Sequence, residues 1–283
     1  DSYFAVQRLQ YRRLPERLQR RPPLISCDEC LEECGMKITF LGHTSCVPDV
    51  GADTSCLLVN DRVLFDTGWA PVLRLRELGI DPLTIAGVVF SHMHQDHYLG
   101  LVQLMFICGL QGKPGSASRT PTIAGPGEHL GEVVEACGNY LQFARFPECA
   151  IEPVLRPLSD GDVLELAGLR IEAHAVHHVS GRHGVEPALG YRVKEVATGA
   201  EFAFSGDTHP FPPVAEFARG VPLLIHDGAH TPPEDGAAVA REANVGRLVL
   251  THSPEARRED VLARARPVFP LTDAATQFMT IEL

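Results

Sequence analysis

The residues best able to do chemistry crowd into Ser91-His92-Met93-His94-Gln95-Asp96-His97, three imidazoles and one carboxylate spaced H-x-H-x-D-H. Imidazole nitrogens and carboxylate oxygens at this density suit a borderline divalent ion, zinc above all. Histidines also gather on solvated loops and in tags, but more histidine- and aspartate-bearing segments recur downstream. The run Ile85-Ala86-Gly87-Val88-Val89-Phe90 reads as a short buried strand. The cluster therefore stands where a strand ends, on a loop that a rigid scaffold can fix.

The elements around it alternate. Strands are predicted at Lys37–Leu41, at Ser55–Asn60 and Arg62–Asp66 with a turn at Asn60-Asp61, and then before the histidine cluster. Helices follow over Ala70–Leu78, Tyr98–Phe106 and Glu128–Phe143, with a Gly/Ser/Lys-rich loop at Gly112–Arg119. The second half repeats the pattern, with strands near Val163–Leu166, Arg170–Val176, Ala188–Val196 and Glu201–Ser205. Its helices are expected over Pro212–Arg219, Pro232–Glu242 and Pro254–Arg264. No repeat at solenoid period is present.

Four segments in order carry a family resemblance. Val63-Leu64-Phe65-Asp66-Thr67-Gly68 is similar to a strand ending in Asp-x-Gly. H-x-H-x-D-H follows it, then Phe202-Ala203-Phe204-Ser205-Gly206-Asp207-Thr208, then Arg247-Leu248-Val249-Leu250-Thr251-His252-Ser253. Together they resemble the metallo-β-lactamase-fold hydrolases over Met36 to Leu283. The resemblance implies an α/β fold, a four-layer αββα sandwich, with residues 36–283 as the hydrolase domain and residues 1–35 as a leader.

It also implies a dinuclear site with a metal-bridging hydroxide as nucleophile. His92 and His94 would hold the first ion with a third histidine; Asp96, His97 and His252 would hold the second. Asp207 would bridge them, and Asp66 would orient a ligand histidine. The third histidine stays open. His178 ends its strand in His-x-Ser-Gly-Arg, whereas His183 has the better spacing to Gly190-Tyr191-Arg192. His174 and His177 alternate along the same strand and read equally well as packed core histidines. Two Zn²⁺ ions are expected, although Mn²⁺ or iron also suits His/Asp ligands.

Gly42-His43-Thr44-Ser45-Cys46-Val47-Pro48, Gly190-Tyr191-Arg192, Leu224-Ile225-His226-Asp227 and His230-Thr231 resemble the ribonuclease Z and phosphodiesterase-like branch. By that resemblance His230 would donate a proton to the leaving oxygen, and with Asp96 it is a candidate catalytic residue. The alternative is a helix-capping Thr231 beside an incidental histidine. A basic arm of the kind that clamps tRNA is missing, because Gly112–Arg119 offers only Lys113 and Arg119. The expected substrate is therefore a small phosphodiester or related ester. tRNA 3′ processing is the runner-up, and lactone or thioester hydrolysis comes third. The resemblance also admits a homodimer, as well as the fold's use as an inert scaffold, which the full set of ligand residues argues against.

Composition sets further bounds. The net charge is −11, with 25 Lys+Arg against 36 Asp+Glu, which disfavours a polyanionic nucleic-acid partner. Residues 1–21 run the other way, with six arginines (8, 12, 13, 17, 20 and 21) against Asp1 and Glu16. They are expected as an arginine-rich helix broken at Pro15 and stopped at Pro22-Pro23, and read as a docking arm. That segment lacks the apolar core of a secretory signal, and no run is long enough to span a membrane. Eight cysteines without an export signal favour a reducing cytoplasm. Cys27, Cys30 and Cys34 are spaced for a structural zinc or an iron–sulfur cluster, or are plain reduced thiols on a polar leader.

Overall fold

The computed structural model describes residues 35–181 and 184–283. Cys27, Cys30, Cys34 and the alternative ligand His183 lie outside the described residues, as does the arginine-rich segment.

One sheet gathers β1 (Lys37–Gly42), β2 (Cys56–Val59), β3 (Val63–Phe65), β4 (Gly87–Val89), β5 (Thr122–Pro126) and β6 (Val154–Leu158), with β16 (Thr280–Glu282) at its other edge. The strands β2, β3 and β4 are buried along their whole length, which explains why they read as unbroken apolar runs. β2 and β3 pair Val59 with Val63 across Asn60-Asp61. Both turn residues have left-handed backbone, φ 52° and 54°, the conformation of a type I′ hairpin turn.

The second sheet contains β7 (Val163–Leu166), β8 (Leu169–Ala175), β11 (Leu189–Glu195), β12 (Glu201–Phe204), β13 (Leu223–Asp227), β14 (Arg247–Thr251) and β15 (Thr272–Ala274). A separate hairpin joins β9 (His178–Ser180) to β10 (Gly184–Glu186). The two sheets share an apolar interior in which Phe65 meets Tyr191, Phe202 and Phe204 edge-on, with centroids 5.7, 6.1 and 6.2 Å away.

Helices cover the outer faces. Over the first sheet lie α1 (Pro71–Glu77), α2 (Gln95–Tyr98), α3 (Leu101–Gln111) and α4 (Gly127–Tyr140). Over the second lie α5 (Pro213–Phe217), α6 (Pro233–Glu242) and α7 (Arg258–Ala265). Three apolar layers between four layers of structure make the αββα sandwich that the sequence resemblance implied. Among the described residues no helix is long and apolar enough to cross a membrane.

Local differences from expectation have physical causes. The helix expected over Tyr98–Phe106 is two helices with a break at Leu99-Gly100. A Cβ on Gly100 would lie 2.3 Å from Pro71 Cδ, so only glycine lets α1 approach there. The helix expected from Glu128 is kinked at its start, where His129 takes φ 65°. The last expected helix begins at Arg258, after a 3₁₀ turn at Glu255–Arg257.

The site-bearing residues stand at the carboxyl ends of parallel strands in both sheets. Asp66 follows β3, Ser91 and His92 follow β4, Asp207 follows β12, Asp227 ends β13 and His252 follows β14. Open parallel sheets present ligands at this edge. Two bonds tie the sheets together there: Leu189 N–H donates to Ser91 O at 2.8 Å, and Tyr191 Oη to Phe90 O at 2.6 Å.

Candidate metal centre

Four groups of side chains converge at this edge, each with ligand atoms within 4.8 Å of one another. His92, His94 and His178 form the first; Asp96, His97 and His252 form the second; Asp207 joins His92 and His97 in a third, and Asp227, His230 and His252 in a fourth. His178 Nε2 lies 3.2 Å from His94 Nδ1. Asp207 Oδ2 is 3.3 Å from both His97 Nε2 and His252 Nε2, and 4.0 Å from His92 Nε2. Asp96 Oδ2 lies 3.4 Å from His97 Nε2 and 3.5 Å from His252 Nε2. The third-histidine candidate His178 is thus beside His92 and His94; the other candidate, His183, lies outside the described residues. Its neighbours on the strand turn elsewhere: His174 stacks on Phe217 at 4.7 Å, and His177 rests near Phe211 at 6.0 Å.

The donor set fits a pair of cations. His92 Nε2 and His97 Nε2 are buried without a hydrogen-bond partner, though both face Asp207. Native structures rarely bury such nitrogens unless an ion or water takes them. Burial, with the His97 charge second, holds His92 well below an ordinary imidazole pKa, and burial pushes His178 down to about 4. Both are thus neutral, the form that binds metals. Burial opposes charge on His97 too, but the Asp207 and Asp66 carboxylates outweigh it and raise its proton affinity well above normal. The centre is therefore strongly electronegative and attracts cations.

The tautomers are fixed from behind. Asp66 is fully buried with φ 57°, a strained conformation for a non-glycine residue that the surrounding bonds must hold. Its Oδ2 accepts from His97 Nδ1 at 2.8 Å, and its Oδ1 accepts from Ser91 N–H at 2.8 Å. Ser91 Oγ lies 2.9 Å from Asp66 Oδ2 and 3.0 Å from His92 Nδ1. With the hydroxyl proton on Asp66, Ser91 accepts from His92 Nδ1–H, which leaves the Nε2 lone pair facing inward. Ser91 thus fixes the tautomer of His92. The sequence reading missed this, because a serine at a strand end carries no signal of its own.

His230 stands on the second-half wall. Its Nδ1 lies 2.8 Å from Asp227 Oδ2 and 3.7 Å from Asp207 Oδ2, and its ring stacks on His252 at 5.2 Å. Burial works against its charge, but the Asp227 hydrogen bond and charge push it up to about 8. Asp227, fully buried, also accepts from Thr208, Ala229 and His230 backbone N–H groups. The sequence reading took Asp227 only as part of a segment carrying the family resemblance and missed this anchoring role. Thr231 Oγ1 donates to Thr208 O at 2.6 Å and does not cap α6.

Comparison with known proteins agrees with this geometry. Residues 61–253 match the family described as the beta-lactamase superfamily domain. Ribonuclease Z of Methanothermobacter thermautotrophicus is 29% identical over 300 residues, spanning 88% of this chain and 97% of that protein. Ribonuclease Z of Myxococcus xanthus is 26% identical, spanning 88% and 98%. Among solved structures, the metallo-beta-lactamase fold protein YhfI from Bacillus subtilis superposes with a TM-score of 0.72 at 20% identity, over 87% of this chain and 99% of its own. Human tRNase Z, short form, gives 0.66 at 20% identity, over 87% and 98%.

Proposed function

The chain belongs to the beta-lactamase superfamily and is a metal-dependent hydrolase, and we propose that it cleaves phosphodiesters in RNA as a ribonuclease Z-type endonuclease. The observation that carries this reading is Asp207 Oδ2 facing His92, His97 and His252 at once, with the His230–Asp227 pair alongside. His92, His94 and His178 would hold one divalent cation, and Asp96, His97 and His252 the other, with Asp207 between them. Zinc suits this nitrogen-rich set best. Cations bound there supply Lewis acidity and make water a nucleophile near neutral pH.

The chain's own residues do the rest. Asp66 and Ser91 keep His97 and His92 in the tautomer that presents Nε2. Asp227 holds His230 by Nδ1, so His230 Nε2 carries the proton available to the leaving oxygen. Asp96, inside the second group, is a ligand and not the proton carrier, because its carboxyl is held well below the usual range. Burial opposes that charge, but His252 and His97 beside it prevail.

The small-ester expectation and the RNA reading part at the substrate. Relatives named Ribonuclease Z along nearly their whole length favour RNA. One observation favours a small diester instead: Arg119, one of the two basic residues of the Gly112–Arg119 loop, spends its guanidinium on the carbonyls of Gly112, Glu148 and Ala150. It clamps the loop and leaves little to grip a polyanion. Incubating zinc-loaded protein with a 3′-extended precursor tRNA separates the readings. A single endonucleolytic cut supports ribonuclease Z chemistry. Intact RNA beside turnover of bis(p-nitrophenyl) phosphate would transfer the assignment to small diesters.

A further inference from the structure

The short helix α2 carries Asp96 and His97, and a helix of four residues leaves its last carbonyls without intrahelical partners. Two threonines take them. Thr54 Oγ1 donates to Asp96 O at 2.7 Å, and Thr67 donates to His97 O through both N–H and Oγ1, at 2.8 and 2.9 Å. Thr54 is fully buried and belongs to the loop of residues 43–55 that joins β1 to β2. The neck of that loop is pinched: His43 N–H and Thr44 N–H both donate to Asp53 O, at 2.8 and 2.9 Å. A Cβ on Gly42 would collide with Thr54 O, so only glycine lets the two sides of the neck meet.

The same neck reaches the other half of the sandwich. Ser253 N–H donates to His43 O at 3.2 Å, and Thr251 Oγ1 donates to it at 3.5 Å, so His252 is braced through both of its chain neighbours. His252 itself has left-handed backbone, φ 61°, a conformation that its surroundings must hold. One loop thus grips Asp96 from the first half and His252 from the second, whose Oδ2 and Nε2 stand 3.5 Å apart. Among the described residues, none of the loop's hydrogen bonds reaches His92, His94 or His178. Gln277 anchors the neck in turn: its Oε1 accepts from Asp53 N–H at 2.9 Å, and its Nε2 donates to Leu41 O at 2.7 Å.

Resting on the two-cation arrangement of the proposed function, we propose that Thr54 is a positioning residue. Through the Asp96 carbonyl, and with the His43 carbonyl bracing His252, its loop sets the affinity of the Asp96–His97–His252 position and leaves that of the His92–His94–His178 position alone. The test titrates zinc into metal-free wild type, Thr54→Val, Thr54→Ser and Gln277→Ala in competition with a chromogenic chelator. His252→Ala identifies which binding step belongs to the Asp96–His97–His252 position. Thr54→Val keeps the side chain's shape and loses its hydroxyl, so that step should weaken about tenfold, with the other step within twofold of wild type. Thr54→Ser should recover most of the loss. Gln277→Ala, which frees the neck without touching Asp96 or His252, should weaken the same step. Both steps unchanged, both weakened alike, or no recovery in Thr54→Ser would overturn the proposal. Should circular dichroism show Thr54→Val unfolded, Gln277→Ala decides, and an unchanged step there overturns it. A folded wild type that takes up only one zinc would sink the two-cation arrangement and this proposal with it, whereas unchanged steps in a two-zinc protein would overturn the proposal alone.

Discussion

Replacing Asp66 by asparagine tests whether the centre is tuned from behind. The carboxylate makes contacts to Ser91 N–H at 2.8 Å, to Ser91 Oγ at 3.1 and 2.9 Å, and to His97 Nδ1 at 2.8 Å. Asparagine keeps one acceptor, which Ser91 N–H can claim, and turns an amide N–H₂ toward His97. His97 must then accept at Nδ1 and carry its proton on Nε2, the nitrogen that faces Asp207 and Asp96. One charge-assisted bond is lost, worth about 1.5–3 kcal/mol, so zinc affinity should fall roughly 10- to 100-fold. Competition with a chromogenic chelator measures this directly, and circular dichroism checks that the fold survives. Zinc affinity within twofold of wild type would refute the orienting role of Asp66.

Three further predictions follow from the same geometry. His230→Ala should lower kcat about 10²- to 10⁴-fold for a diester with an alkoxide leaving group, and far less for a p-nitrophenolate, which departs without a proton; equal losses on both would dismiss it as the proton donor. Zinc at a hundred times its Kd should stabilise the chain by about 2.7 kcal/mol, read as a rise in melting temperature that EDTA reverses; an unchanged melting temperature would mean that the native state binds no zinc. Burial, opposed in part by Glu255, lowers the proton affinity of His43 in the fold. The unfolded chain therefore takes that proton first, and the stability is full above about pH 6.5 and lost as pH falls below it. Urea unfolding of zinc-free protein should thus weaken more between pH 7.5 and 5.5 in wild type than in His43→Asn, and parallel curves would contradict it.

Part of the candidate site was legible because polar side chains gathered at strand ends leave a spacing in the sequence. H-x-H-x-D-H places His92, His94, Asp96 and His97 in one loop and short helix, and the apolar runs before Asp66, Asp207 and His252 announce the strands that deliver them. The sequence left His178 and His183 as alternatives because both follow β8 closely; the fold brings His178 beside His92 and His94, and His183 lies outside the described residues. Ser91 and Asp227 were invisible in these roles, because orientation depends on contacts between distant strands. Among the strands the sequence did not announce, two have a chemical reason. Thr122–Pro126 and Val154–Leu158 each contain a proline, which argues against a strand. Pro126 is tolerated at the strand's last residue, and Pro157 because β6 lies at the edge of its sheet.

The most direct test of the account is metal stoichiometry and turnover in wild type against Asp207→Ala. Wild-type protein loaded with zinc and freed of excess should hold two ions per chain by mass spectrometry and hydrolyse bis(p-nitrophenyl) phosphate. In Asp207→Ala, with the shared carboxylate gone, bound zinc should drop below two and turnover should disappear. Two tightly held ions and undiminished turnover in the variant would contradict a centre built around Asp207.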